Sequence, residues 1–407
     1  MVEPWAEGRD NASMTLDFAD PDFLADPYPA LAELRAQGPL TWHEPTGRFL
    51  AAGHAEANAV LRDRRLGRFW VDREPADVWE PFNTLHRNQM MENEPPAHTR
   101  LRGLVAGAFG RGHVERLGPA VAAAAAGLLD AAGPEFDLLA DVAEPLAVTV
   151  IAELLGVPEA DRHRLRPWSA AIVRMYEVSR TESDEEAAIA ACREFADYLS
   201  HLAALRRAAP QDDLISHLVE SPLSGAELVA SAILLLNAGH EASVNALGGG
   251  LVALMRHPDQ WRRLVTDRGL VPVAIEEFLR YDPPLHLFAR TAAADVVVGG
   301  VTVPAGAEVA ALLGAANRDP RVFAEPDMFD VGRDPNPHLG FGAGLHFCLG
   351  APLARLEMRA ALAALVDRWP RLTLAAEPVQ RPTFVLRAFH EVRLTAFGQV
   401  RHSDRSG

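Results

Sequence analysis

The chain has 407 residues, of which 49% are hydrophobic and 23% charged, a globular composition with enough apolar content to bury a large core and to exclude extended disorder. Its net charge of -16 repels nucleic acid and anionic membrane surfaces, so neither is expected as a partner. The 39 basic residues are all arginine, and the two cysteines, Cys192 and Cys348, are too few for a disulfide framework or a zinc cluster, so a reducing, cytoplasmic setting is expected.

The N-terminal stretch MVEPWAEGRDNASM has no positively charged flank followed by an apolar run, and no secretory signal is expected. Roughly the first 15 and last 8 residues are expected to be flexible. From Asp22 to about Asp63 the pattern predicts a helix (PYPALAELRAQ), short strands (LTWHEP, GRFLAAG) and a second helix (HAEANAVLRD). Residues 66–93 carry Phe69, Trp70, Trp79 and Phe82 without a clean period, which predicts a loop presenting apolar side chains. From His98 to Val273 helical periodicity dominates, broken at Gly133-Pro134, Gly156-Val157-Pro158, Pro210 and Ser221-Pro222. Cys192 falls in this region, in AAIAACREFADYL, where a small buried hydrophobe is expected. The most apolar run begins near Gly225 and ends near Met255, far longer than an average helix, and is expected to cross the interior. No apolar stretch is long and continuous enough to span a bilayer.

After YDPP, the segment DVVVGGVTVPAG reads as two β-runs around Gly299-Gly300, a hairpin signal. Residues 314–347 are rich in Pro, Gly and Asp and predict a long irregular segment with a functional reason. A final helix (CLGAPLARLEMRAALAALVDRWP) and a β-like tail complete the chain. No repeat or linker divides residues 1–407, which are read as one large, mainly helical domain with small sheets.

The stretch FGAGLHFCLG, Phe341 to Gly350, places a lone cysteine after a Gly-rich loop and immediately before a helix. Backbone N–H groups and the helix dipole at such a position stabilise an anionic sulfur and are expected to lower the thiol pKa of Cys348. Pro352 in the first helical turn sacrifices no hydrogen bond and supports the boundary. Gly342, Gly344 and Gly350 leave room for a flat macrocycle, and Phe341 is placed to shield the sulfur. A buried structural cysteine has no need of the Gly-rich lead-in, and no protease-like arrangement accompanies a cysteine nucleophile.

FGAGLHFCLG closely resembles the haem-binding signature of the cytochrome P450 family. The resemblance implies the mainly α P450 fold with small peripheral β-sheets, haem b as cofactor, and Cys348 as the axial ligand whose thiolate favours O–O cleavage. It extends to Glu277-Phe278-Leu279-Arg280 followed by Phe329-Asp330 and Arg333, which looks like the family's buried charge network, and to Pro95-Pro96-Ala97-His98-Thr99-Arg100-Leu101-Arg102. By the same resemblance His98, Arg102, Arg290 and His346 are assigned to the haem propionates.

In the long helix, Ala238-Gly239-His240-Glu241-Ala242-Ser243 resembles the family's oxygen-binding segment. Gly239 is expected to let the helix open beside the oxygen, and Glu241, with apolar neighbours in sequence, to relay protons; His240 is expected to face away. The family usually has Thr where this chain has Ala242. The same Glu-Ala-Ser departure occurs in a member that hydroxylates a macrolide precursor in erythromycin biosynthesis, where a substrate hydroxyl and ordered water take over. A hydroxylated substrate, a water chain or Ser243 is therefore expected to compensate.

The substrate pocket is expected to draw on residues 66–93, Leu234, Leu235, Ala238, the stretch from Leu285 through Leu287 to Phe288, and Phe384 with Val385, implying a hydrophobic substrate of moderate or large size, a polyketide- or macrolide-like secondary metabolite. The resemblance implies a monomeric monooxygenase fed with electrons by a ferredoxin and an NAD(P)H-dependent ferredoxin reductase, with O2 as co-substrate. Oxidative phenol coupling or desaturation on the same haem is an alternative; a haem-binding sensor without turnover is another, against which Glu241 speaks.

Overall fold

The computed structural model describes residues 16–398; both chain ends expected to be flexible lie outside the described residues. The organising element is the helix Gly225–Arg256. It starts on a capping box, in which the Ser224 hydroxyl accepts from the Glu227 N–H at 3.2 Å and the Glu227 carboxylate accepts from the Ser224 N–H at 2.8 Å. It is buried over most of its length from Leu228 to Leu254, as its apolar sequence requires. Glycines let its neighbours approach closely. A Cβ at Gly248 would lie 2.8 Å from Leu139, and one at Gly250 would collide with the ring of Phe278 in the helix Val271–Tyr281. That second contact fixes the helix carrying Glu277 and Arg280. The helix Ala351–Arg368, with Pro352 in its first turn, packs on Arg111–Ala132 and on Val271–Tyr281, so the cysteine loop that precedes it is clamped between helices.

The sheets are small and peripheral. A five-stranded sheet runs in the order Thr41–His43, Arg48–Ala51, Glu308–Leu312, Leu287–Ala292, Leu66–Gly67, antiparallel except where Arg48–Ala51 meets Glu308–Leu312. The expected hairpin is present as Val296–Val298 and Val301–Val303, turned by Gly299 and Gly300 at φ 57° and 83°, the two left-handed residues such a turn demands. The β-like tail pairs as Arg371–Leu374 with Arg393–Phe397.

Two elements depart from the sequence reading. The region where helical periodicity dominates contains, just after its expected break at Gly133-Pro134, a strand, Glu135–Asp137, which closes the tail into a three-stranded sheet. Residues 66–93 are not a loop throughout: Ala76–Arg87 is a helix. Among its buried residues, Trp79, Phe82, Asn83 and His86 are spaced three, four and seven apart, a helical stripe. Two of the four are polar, which hid the period. Asn83 is buried because its amide clamps the backbone of Arg73, accepting from the Arg73 N–H at 2.9 Å and donating to the Arg73 carbonyl at 3.0 Å. Cys192 is 1% exposed and burial pushes its thiol up to about 12, consistent with a structural cysteine. No helix among the described residues is long and apolar enough to cross a membrane.

Candidate functional site

Cys348 ends an irregular loop whose geometry is set by glycines at positive φ. Gly342 and Gly344 both adopt φ +69°. The reason for Gly344 differs from expectation: a Cβ there would collide with the Leu61 carbonyl at the end of the helix His54–Arg62, so the glycine admits another helix. The Cys348 N–H donates to the Phe341 carbonyl at 3.0 Å, the Arg355 guanidinium covers the Phe341 ring at 4.4 Å, and Arg102 donates to the Phe347 carbonyl at 2.8 Å. The expected lowering of the thiol pKa does not win in the protein alone. Burial raises it, and the Gly350 and Ala351 N–H groups, Arg102 and Arg355 pull it down without cancelling that cost. Such a sulfur loses its proton most readily to a metal cation.

Behind the loop lies a saturated charge network. Glu277 and Arg280 are both 0% exposed and paired through two bonds of 2.7 Å. Arg280 also donates to the carbonyls of Asn317, Pro326 and Met328 at 3.1, 2.6 and 3.0 Å. Glu277 accepts from the Asp330 N–H at 2.9 Å, the Asn336 amide at 3.1 Å and Arg333 at 3.3 Å.

A second cluster is the opposite. His98 is 1% exposed and its ring lies 4.5 Å from that of His346, yet neither of its ring nitrogens has a partner. Burial, then His346 and Arg102, press its pKa down to about 4. His346 bonds Glu94 at 2.8 Å. Arg290 is 2% exposed; one guanidinium nitrogen donates to the Ala289 carbonyl at 3.0 Å and another has no acceptor. Burial, then repulsion from Arg68, lowers its pKa to about 9. A buried guanidinium without a carboxylate is costly, and these orphaned donors suit the carboxylates of a haem, as the partly buried thiol suits its iron. The residues fit that group.

Along the long helix, Ala238 is exposed and Gly239, Glu241 and Ala242 are partly so, although the residues on either side are buried. This turn therefore faces open interior space. The helix is nevertheless continuous, correcting the expectation of a local opening at Gly239. A Cβ there would lie 3.1 Å from Ile151 of the helix Glu144–Leu155, so the glycine accommodates that neighbour. Glu241 is not in apolar surroundings either: burial raises its pKa, while Arg381 and Arg166 lower it, and Arg166 is itself paired with Glu144 at 2.9 Å. His240 is buried, 3.6 Å from the Glu241 carboxylate. Ser243 donates to the Gly239 carbonyl at 3.0 Å.

One group escaped the sequence reading. Glu357, on the cysteine helix, is 3% exposed, and neither carboxylate oxygen has a hydrogen-bond partner. It lines a small space of about 10 Å³ with Ser243, Leu247, Met358 and Ala147, room for about one water. Burial pushes its pKa up to about 8, with Ser243 pulling the other way. The signal was available: Glu357 interrupts the apolar i, i+4 row Leu353, Ala361, Leu365.

A larger cavity of about 470 Å³ is lined by Arg68, Phe69, Trp70, Val71, Arg73, Phe82, His86, Met175 and Tyr176 among others. Residues 66–93 contribute to it as expected. The other pocket residues expected do not line it. Phe384 stacks on Phe18 at 4.8 Å and joins Val385, Leu287 and Leu312 in a core cluster with Leu16 and Phe23. Its segment is fixed by Glu177, which accepts the N–H groups of Phe384, Val385 and Leu386 at 3.0, 3.1 and 2.7 Å. Leu234 and Leu235 are buried on the long helix. Leu285 packs beside the same core cluster, and Phe288 is covered by Arg68 and Arg290 at 4.7 and 4.4 Å.

Residues 135–382 match the family model described as Cytochrome P450. Cytochrome P450 monooxygenase PikC of Streptomyces venezuelae is 43% identical over 371 residues, covering 88% of this chain and 87% of that protein. 6-Deoxyerythronolide B hydroxylase of Saccharopolyspora erythraea is 40% identical over 397 residues, covering 91% and 96%. Among solved structures, P450BioI in complex with hexadec-9Z-enoic acid ligated acyl carrier protein superposes with TM-score 0.90 at 35% identity, covering 93% of this chain and 99% of that one.

Proposed function

The chain belongs to the cytochrome P450 family, and we propose that it holds haem b on Cys348 and inserts one oxygen atom from O2 into an apolar scaffold of polyketide or macrolide kind. Family membership makes the chain a haem monooxygenase, an oxidoreductase that works with redox partners and O2; the proposal concerns how its own residues serve that chemistry and on what. Haem, once bound, supplies oxygen activation, which a thiolate ligand promotes.

Cys348 offers the sulfur from the mouth of its helix. Arg290 and His98 offer the buried donors that lack acceptors, and Arg102 and His346 extend the same cluster. Ala242 has no hydroxyl, so proton handling falls to the groups flanking it. The raised value of about 8 at Glu357 keeps this carboxyl protonated at neutral pH, a group able to give a proton and retake it. Ser243, beside the small space Glu357 shares, passes that proton through one water in this reading, and Glu241 holds a second raised carboxyl two residues earlier. A substrate hydroxyl completes this path in the reading we favour, as the likeness to 6-deoxyerythronolide B hydroxylase supports. A ferredoxin and its reductase in a cytoplasmic setting belong to the same proposal.

The observation that carries it is the pairing of a partly buried thiol before a helix with buried donors that lack acceptors, a neutral histidine and a guanidinium. The test is reconstitution with ferredoxin, ferredoxin reductase, NADPH and a panel of hydroxylated macrolactones, neutral and anionic. The expected result is a product carrying one atom from labelled O2 in the complete mixture and none when any protein or NADPH is omitted. Product formed without an electron source, or none from any macrolactone, contradicts it.

A further inference from the structure

The walls of the 470 Å³ cavity carry charges that sort into pairs, with one left over. Arg68 is paired with Glu92, and Glu308 with Arg48 at 2.9 Å. His86 is stacked between Phe82 at 4.0 Å and Trp70 at 4.5 Å, and burial depresses its pKa to about 4, so it is neutral. Arg73 has no carboxylate within ion-pair distance among the described residues. Its guanidinium lies over the rings of Trp79 at 4.8 Å and Phe82 at 5.2 Å.

This cation is held in place. The two bonds from the fully buried Asn83 amide to the Arg73 backbone, at 2.9 and 3.0 Å, fix where its side chain departs, and the aromatic faces limit where it goes. The charges around it do not satisfy it. Burial and repulsion from Arg180 lower its pKa, and Glu185 and Tyr176 attract it only from a distance. Arg180, which repels it, is itself engaged with the Glu177 carbonyl at 3.0 Å. The rim is open to solvent at Phe69 and Val71, 45% and 78% exposed. A preorganised, half-buried guanidinium on an aromatic shelf at an open cavity, with no carboxylate to pair it, is built for an anion.

We propose that Arg73 anchors an anionic group of the substrate, which is an amphiphile: its apolar body enters the protein, and its carboxylate or phosphate stays at the cavity rim against Arg73. This rests on the monooxygenase reading and narrows its substrate class to scaffolds that carry a negative charge, either as a free acid or through a phosphate of a carrier to which the scaffold is tethered. Neutral macrolactones would leave Arg73 unpaired.

The test is calorimetric titration of the haem-loaded protein with dodecanoate, dodecyl phosphate, methyl dodecanoate and dodecylammonium, which share one apolar body. Wild type should bind at least one of the two anions about tenfold or more tightly than the ester and the amine, and added salt should erase the difference. Arg73→Gln should weaken that anion about tenfold while leaving the ester within about twofold, and Arg73→Lys should fall between. Preference for the phosphate points to the tethered source, and preference for the carboxylate to the free acid. Equal binding of anion and ester by wild type, equal losses of both in Arg73→Gln, or no binding of any probe overturns the proposal. The spectrum of the reduced, CO-treated protein, recorded on the same samples, reports separately on the haem-thiolate reading, so failure of one is distinguishable from failure of the other.

Discussion

Two buried charged clusters lie in this protein, and they are finished to different degrees. Around Glu277 and Arg280, six donors or carbonyls beyond the pair itself complete the bonding at 0% exposure. Around His98 and Arg290, at 1% and 2% exposure, both histidine nitrogens and a guanidinium nitrogen are left without partners. Burial alone does not tell a structural charge from a functional one. Satisfaction does: a complete network is stabilised by itself, whereas an incomplete one is strained until something from outside completes it.

That contrast can be broken or sharpened by substitution. The largest effect should come from Glu277→Ala, which strands Arg280 as a buried cation at a cost of about 3–5 kcal/mol. We expect loss of most folded protein, or a thermal midpoint lowered by about 10 °C, with or without haem. A midpoint within experimental error of wild type would show that the network does not hold the fold. Arg290→Leu should behave in the opposite way. Without haem its thermal midpoint should equal or exceed that of wild type, because an unpaired buried cation is gone. With haem, transfer to an apoglobin acceptor should accelerate about tenfold or more, as expected for the loss of a charge-assisted contact. A fall in apo-protein stability like that of Glu277→Ala would erase the distinction.

Glu357 is an orphan of the second kind on the helix that follows Cys348, and its effect is next. A carboxyl raised from its ordinary value of 4.5 to about 8 is more protonated in the folded chain than in the unfolded one. Its favourable contribution is full below pH 4.5 and is lost as pH rises through about 8. Glu357→Gln should therefore flatten the fall in stability across that interval and raise the thermal midpoint at pH 8, while slowing product formation. An unchanged stability-versus-pH curve would remove Glu357 from the account. Ala242→Thr should matter least. If Ser243, Glu357 and the substrate already carry the protons, product formed per NADPH should change by less than about twofold, and a large gain would mean that the missing hydroxyl limits the enzyme.

The elements legible in the sequence were those whose physics is local. The capped apolar run at Gly225–Arg256, the hairpin at Gly299-Gly300 and the i, i+3 pair of Glu277 and Arg280 depend on residues a few positions apart. What was not legible depended on distant partners. The helix Ala76–Arg87 was hidden because Asn83 turns inward for the Arg73 backbone and His86 for two aromatic rings. Phe384 and Val385 are held by Phe18 and Glu177, partners at least 207 positions away in the chain. Gly239 and Gly344 were correctly singled out for smallness, but the atoms that require it belong to Ile151 and Leu61, which no local pattern names. For Cys348 the motif identified the residue, while the balance between its burial and its N–H donors needed the structure.

The central claim is that the Cys348 sulfur bonds haem iron as a thiolate, and the reduced, carbon-monoxide-treated protein tests it most directly. Wild type should give the absorbance band at about 450 nm that a thiolate-ligated haem produces, and Cys348→Ser should abolish it, whereas Cys192→Ser should keep it. A wild-type protein that binds haem without that band, or a Cys348→Ser protein that retains it, would contradict the account.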